Sequence, residues 1–482
     1  MVRESAAART GAHLLSFGAF LLACPLVPWE GSLFVQMLAH VPWASAVMDG
    51  MATTAVAAAA AAVLWSLGRQ MCRVPRWCAL AGAILYGAAS LGVEAVGLIG
   101  GANAVVATGL GAVLGFGTAV MTLSWCALLA GQGLRATLLR LGIVCAAASL
   151  CGLGLSTGLL PGPAMAYGIC VLLGVASPVW EALHRGAAAD SLRRDDADVD
   201  HVWNSVRTMI VNPCLGLFLF VFVMAARGFV FQGYQHIGPL SVLVAALLAV
   251  AVARWWPQFS LSTIYQVFLP AAAAVFLVLS FFPVGSAFFS VGFLVSHIAM
   301  AAIAVLALAS LLAVTRGGEF SPMVVGGALC GVVGLALLLG LNLRYLIVAE
   351  DDLGSILLVC AAVYFVYVLV SPIADLRRQV REGDAAAGKE EGGRPHAPHS
   401  PACGESRREA ALATLADGAG LSAREREILP YLARGHRPAY VADILCISEH
   451  TVRTHSRNMY RKLGVSSREE LIQLVEGRTE KG

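Results

Sequence analysis

Lysine is missing from residues 1–375, and charge of any kind is scarce there, with 15 Arg and 15 Asp or Glu in the whole stretch. The last 107 residues alone hold 18 Lys or Arg and 15 Asp or Glu. Over the full 482 residues the charged share is 13%, against about 25% for soluble domains. The mean hydropathy is +0.75. A purely cytosolic enzyme is excluded as the natural reading, because its surface would need far more charge. The net charge of +3 averages two unlike regions, so it carries little information about partners. The partition itself indicates two solvents and two domains.

Chemistry-bearing patterns are equally scarce. No CxxC spacing occurs, and Cys24, Cys126, Cys145, Cys151, Cys170, Cys214, Cys330 and Cys360 lie inside apolar runs, where they are expected as small buried hydrophobes. No metal site, cofactor site, nucleophile-base set or phosphate loop is visible, so an enzyme is not expected. Arg3 and Arg9 precede an apolar stretch as in a leader, but further apolar runs follow at once. A first membrane helix is the expectation there.

Apolar runs long enough to span a bilayer, roughly 20 residues each, fall near 12–29, 45–66, 77–98, 103–129, 136–158, 162–182, 208–231, 237–254, 260–283, 287–314, 322–343 and 353–374. The expected fold is therefore all-α: a polytopic twelve-helix transmembrane bundle over 1–375, a flexible linker over 376–420 and a small four-helix domain over 421–482. Small residues saturate the runs, as in Ala55 to Ala62 and at Gly109, Gly111, Gly115 and Gly117, and would let helices pack closely in lipid.

Arginine accumulates on the cytoplasmic side of membrane proteins. With the N-terminus inside, the inner segments before the tail hold 13 of the 15 arginines, and only Arg227 and Arg344 fall at outer ends. Outer loops carry Glu30 and the cluster Glu350, Asp351, Asp352. Both termini are then cytoplasmic. The gap at about 183–207 splits the bundle six plus six, which resembles the major facilitator transporters. The Gly68-Arg69, Arg73, Arg76 stretch lacks that family's usual Asp, so a transporter with a fused regulatory tail is the alternative reading rather than the first.

Ionisable residues inside spans default to function. Asp49, Glu94 and Arg227 sit about one turn from outer ends and, with Arg344, form a candidate ligand pocket, against the plainer alternative that they snorkel or pair to hold helices together. His297 is expected as a packed core histidine.

From about 376 to 420 the sequence turns to Gly, Pro, Ser, His and charge, a composition that cannot bury a core and reads as a tether. Residues 407–416 are expected to form a short lead-in helix. Beyond them, Ser422 and Glu425 make a capping box, Gly435 stops the helix, and Pro438 opens a second one. Ser448 caps a third. On that third helix Val452, Met459, Tyr460 and Leu463 form one face, and Arg453, Thr454, Arg457 and Arg461 the other. Ser467 and Glu470 cap a fourth, carrying Leu471, Ile472 and Val475. Two short helices, a tight turn and exposed arginines suit a helix placed in the DNA major groove.

The stretch LSAREREIL (421–429), Gly435 and ISEHTVRTHSRNMYRKLGVSSREELI (447–472) closely resembles the LuxR/FixJ-type helix-turn-helix of bacterial transcription regulators. The resemblance implies that Arg453, Thr454 and Arg457 lie at base-edge and groove positions, with Thr451, Asn458 and Lys462 at phosphate or structural positions. Ser448 and Arg461 complete the candidate DNA-binding set. Pro438, Ala439 and Tyr440 replace the family's common Asn-Lys-Glu, which removes a phosphate-contacting lysine, and the usual receiver domain is replaced by the membrane bundle. The implied partners are double-stranded DNA, the lipid bilayer, a small-molecule or membrane signal, and a second copy on DNA. The implied location is the bacterial inner membrane, and the implied function a one-component sensor and transcription regulator.

Overall fold

The computed structural model describes residues 2–26, 33–38, 41, 43–69, 74–99, 103–156, 162–184, 210–227, 237–255, 287–315, 320–346, 412–436, 438–445, 447, 449–465 and 467–479. All regular structure among them is helical. Two compact units separate within the chain, a larger one holding the apolar runs and a C-terminal one.

In the first unit the helices are α1 (Val2–Ala23), α2 (Leu33–Leu38), α3 (Ala44–Arg69), α4 (Arg76–Ile99), α5 (Ala104–Leu129), α6 (Leu134–Ser156), α7 (Pro163–His184), α8 (Asn212–Arg227), α9 (Ile237–Trp255), α10 (Ala287–Val314) and α11 (Pro322–Leu346). Eight of them, α3 to α7 and α9 to α11, are long and apolar enough to cross a membrane. In α1 the apolar part is the shorter Gly11–Ala23, and α8 has 16 residues. The expected runs at 260–283 and 353–374 lie outside the described residues, so the count of twelve stands as an expectation. The six-residue α2 has no counterpart among the expected spans.

Glycine permits the closest helix contacts. A Cβ at Gly111 would overlap the Val47 carbonyl, one at Gly115 the Met51 carbonyl, and one at Gly50 the Thr108 carbonyl, so α3 and α5 meet backbone to backbone. Gly117 on α5 is crowded in the same way by Tyr86 of α4. Gly109 differs from this expectation, because nothing lies within 4 Å of the Cβ it would carry. Polar side chains add bonds between helices: Thr54 Oγ1 donates to the Ala112 carbonyl at 2.8 Å, Arg135 Nε to the Ala253 carbonyl at 2.7 Å, and the Ser66 and Ser321 hydroxyls meet at 2.8 Å. Such bonds contribute about 0.6 kcal/mol each in lipid. An aromatic cluster of Phe17, Phe20, Tyr86 and Trp125 ties α1 to α4 and α5.

The outer surface of this unit is unusually apolar. Leu64, Leu67, Ile84, Val105, Leu150, Leu172 and Leu183 are all more than half exposed, a pattern suited to hydrocarbon and unsuited to water. Tryptophans mark one end. Trp77 opens α4, Trp180 lies in the last turn but one of α7 and Trp255 ends α9, all exposed. The Arg135 bond to Ala253 brings the start of α6 to the end of α9, so the three rings share the end at which α4 begins and α7 finishes. A tryptophan belt of this kind sits at a membrane interface. Cys24, Cys126, Cys145, Cys214 and Cys330 are buried as expected, whereas Cys151 is exposed on the apolar surface.

The C-terminal unit comprises α12 (Ala423–Ala433), α13 (Pro438–Leu445), α14 (Glu449–Leu463) and α15 (Arg468–Thr479), preceded by a short helix over 412–418. Its core gathers Leu421, Ile428, Leu429, Leu432, Val441, Ile447, Val452, Met459, Leu471 and Val475. Leu412, Leu415 and Ala416 of the lead-in helix join the same core. Residues 407–411, expected in that helix, lie outside the described residues.

Candidate nucleic-acid interface

The helix ends that fix this unit are local and chemical. Glu425 N donates to Ser422 Oγ at 3.3 Å, and Ser422 N donates back to Glu425 Oε2 at 2.8 Å, which completes the capping box of α12. Gly435, at φ +80°, turns the chain out of α12 in a left-handed conformation that side-chain-bearing residues avoid. Arg468 Nη1 donates to its carbonyl at 3.4 Å. Ile447 N donates to the Ala442 carbonyl at 3.0 Å and closes the turn between α13 and α14. At α15, Glu470 N donates to Ser467 Oγ at 3.2 Å.

Helix α14 is two-faced. Val452 and Met459 are fully buried, and Tyr460 and Leu463 pack against the core. Ser456 also turns inward and donates to the Val452 carbonyl at 2.6 Å. Arg453, Thr454, Arg457, Arg461 and Lys462 are exposed, with Thr451 and Asn458 half-buried beside them. Arg461 Nη2 donates to Asn458 Oδ1 at 3.1 Å. Of the candidate set, Ser448 lies outside the described residues. Guanidinium groups one and two turns apart along an exposed strip can each grip a phosphate or a guanine edge through paired N–H donors.

Lys462 stands apart from that strip. Its Nζ lies 2.7 Å from Glu425 Oε2 and 3.4 Å from the Gly420 carbonyl, so it bridges α14 to the capping box of α12. Burial pushes the Glu425 carboxyl up, but the bonds from Lys462 and Ser422 together outweigh it and leave the group below its ordinary value. The 37 residues between the partners left no local signal of this bridge in the sequence. At the start of α13, the His436 ring stacks on Tyr440 at 4.3 Å. Burial, and then the Arg434 charge, hold His436 below its usual value.

In the bundle, two of the four pocket candidates have described side chains. Asp49 on α3 accepts from Asn342 Nδ2 of α11 at 3.2 Å, whereas Glu94 on α4 lies over Gly168 of α7. Arg227 ends α8 and Arg344 lies near the end of α11, but their side chains are outside the described residues. His297 is buried in α10. No cluster of metal-ligating side chains occurs among the described residues.

A four-helix domain with a short helix pair, a tight turn and an exposed basic second helix defines the C-terminal unit as a helix-turn-helix DNA-binding domain. Residues 419–475 match the family of bacterial regulatory proteins of the luxR family, so the unit is a LuxR-type domain. Over 54 residues it is 46% identical to a probable transcriptional regulatory protein, SgaR, of Hyphomicrobium methylovorum. That match takes in 11% of this chain, which spans 26% of the length of that relative.

Proposed function

We propose that the protein is a membrane-embedded one-component regulator, in which the bundle perceives a signal and the C-terminal domain binds DNA as a homodimer. The observation that carries the reading is the exposed strip of Arg453, Thr454, Arg457 and Arg461 on α14, borne by a chain whose described residues include eight helices fit to cross a membrane. Arg453, Thr454 and Arg457 read base edges in the major groove. Thr451, Asn458, Arg461 and the N-terminal turn at Ser448 hold the phosphate backbone, and Lys462 holds α14 against α12. The bundle lies in a bacterial inner membrane with both termini in the cytoplasm, so the tether brings two tails together at high effective concentration once the bundles associate.

Mapping where the protein sits on its own genome supplies the operator. Against that operator, R453A/R457A binds more weakly, and the slope of log affinity against log salt falls by about 1 for each phosphate that is no longer neutralised. Unchanged binding by the double variant overturns the assignment.

A further inference from the structure

A narrow cleft of about 250 Å³, its open mouth included, lies where α1, α6 and α10 meet the loop after α5. That loop is fixed in place. Gly131 adopts φ +81°, and its N–H donates to Thr315 Oγ1, just past α10, at 3.1 Å. At the start of α6, Arg135 donates to the carbonyl of Ala253, in the same last turn of α9 as Trp255. The loop end of the cleft therefore lies at the tryptophan end of the bundle.

Polar and apolar groups are sorted by depth along it. Gln132 of the loop, with Thr137 and Arg140 of the first two turns of α6, makes the polar lining. Leu141 and Val144 follow on α6 and join Phe17 of α1 and Leu312 of α10 as apolar walls. Thr137 Oγ1 is occupied, donating to the Gly133 carbonyl at 3.1 Å. The half-buried side chains of Arg140 and Gln132 have no hydrogen-bond or ion-pair partner among the described residues, and no carboxylate among those residues lines the cleft. Arg140 is six residues into α6, about 9 Å along its axis. A helical side chain leans toward the N-terminus of its own helix, which carries this guanidinium toward the loop and the headgroup level. A cation at that depth is costly in hydrocarbon, and phosphate is the counter-charge that a bilayer supplies there. The apolar walls, and the exposed Leu15 and Ile143 on the same two helices, favour an amphiphile over a free anion.

We propose that this cleft binds an anionic phospholipid. Arg140 grips the phosphodiester through paired N–H donors, the Gln132 amide bonds a headgroup hydroxyl, and the acyl chains lie along α1 and α6. A lipid seated there touches α1, α6 and α10 at one point, so the anionic lipid content of the membrane bears on how these helices pack. The proposal rests on the bundle lying in a bilayer, and neither on signal perception nor on DNA binding by α14, so it and the regulator reading can fail separately.

The test is a native mass-spectrometric titration of the full chain, held in a nonionic detergent, with phosphatidylglycerol. Phosphatidylcholine is the charge control, and soluble glycerophosphoglycerol, the same head without acyl chains, separates a lipid from a free phosphate. One phosphatidylglycerol is expected to bind first, and more tightly than phosphatidylcholine, with the soluble head competing only at far higher concentration. R140Q weakens that first step about tenfold, the effect of losing a charged hydrogen bond. R254Q, exposed at the same end and outside the cleft, retains it. R140K keeps the charge and loses the fork, so it falls between the two. Gel filtration establishes that each variant is folded, and the loss in R140K relative to R254Q decides the matter where R140Q does not fold. Equal binding of the two lipids, equal affinity for the soluble head, or equal loss in the Arg140 and Arg254 variants overturns the proposal.

Discussion

Lys462 belongs to α14 by position and to the domain interior by contact, and its neighbours on that helix behave oppositely. Truncating it removes the bridge to Glu425, so K462A is expected to lower the stability of a 405–482 fragment by about 1 kcal/mol. R457A, exposed on the same helix, leaves stability within about 0.5 kcal/mol and lowers DNA affinity. Urea unfolding beside a DNA titration separates the two effects. The same bridge sets a pH dependence. Because Glu425 lies below its ordinary value of 4.5 when folded, its contribution is complete above that value and is lost as pH falls through the folded value. Thermal melts of the fragment between pH 6 and 3 should fall more steeply in the native sequence than in E425Q, which has no proton to gain there.

At the scale of elements, α3 and α5 turn the usual helix preference around. Gly to Ala inside a helix normally gains about 1 kcal/mol, and G109A, with open space around its Cβ, should follow that rule. G111A meets the Val47 carbonyl instead and should destabilise the bundle by about 1–3 kcal/mol, read as a lower melting temperature in detergent. What the sequence reveals at this scale follows from how local each signal is. The capping box at Ser422, the stop at Gly435 and the opening at Pro438 are all set within a few residues, and each appears at its expected position. The bond between Asp49 and Asn342 joins residues 293 apart, and no periodicity encodes it. Helix α2, six residues long, is too short to register as a span.

For the whole molecule, the charge partition describes the architecture well because lipid and water select side chains so differently. Eight of the expected spans coincide with helices fit to cross a membrane, and the four-helix tail is legible to within a residue or two. Topology gives a direct check. A phosphatase reporter joined after Gln132, between α5 and α6, should be inactive in the cytoplasm, and one joined after Gly101, between α4 and α5, should be active outside. The reverse pattern overturns the proposed orientation.

In the proposed membrane-bound regulator, Trp77, Trp180 and Trp255, all exposed, would set how deep the bundle rides, and the tail would stay tied to that surface. A regulator held at the headgroup level cannot search the nucleoid by diffusion. Its response time would then be governed by how often chromosome motion carries the target locus to the cell periphery. Moving that locus on the chromosome would change the speed of the response while leaving affinity untouched.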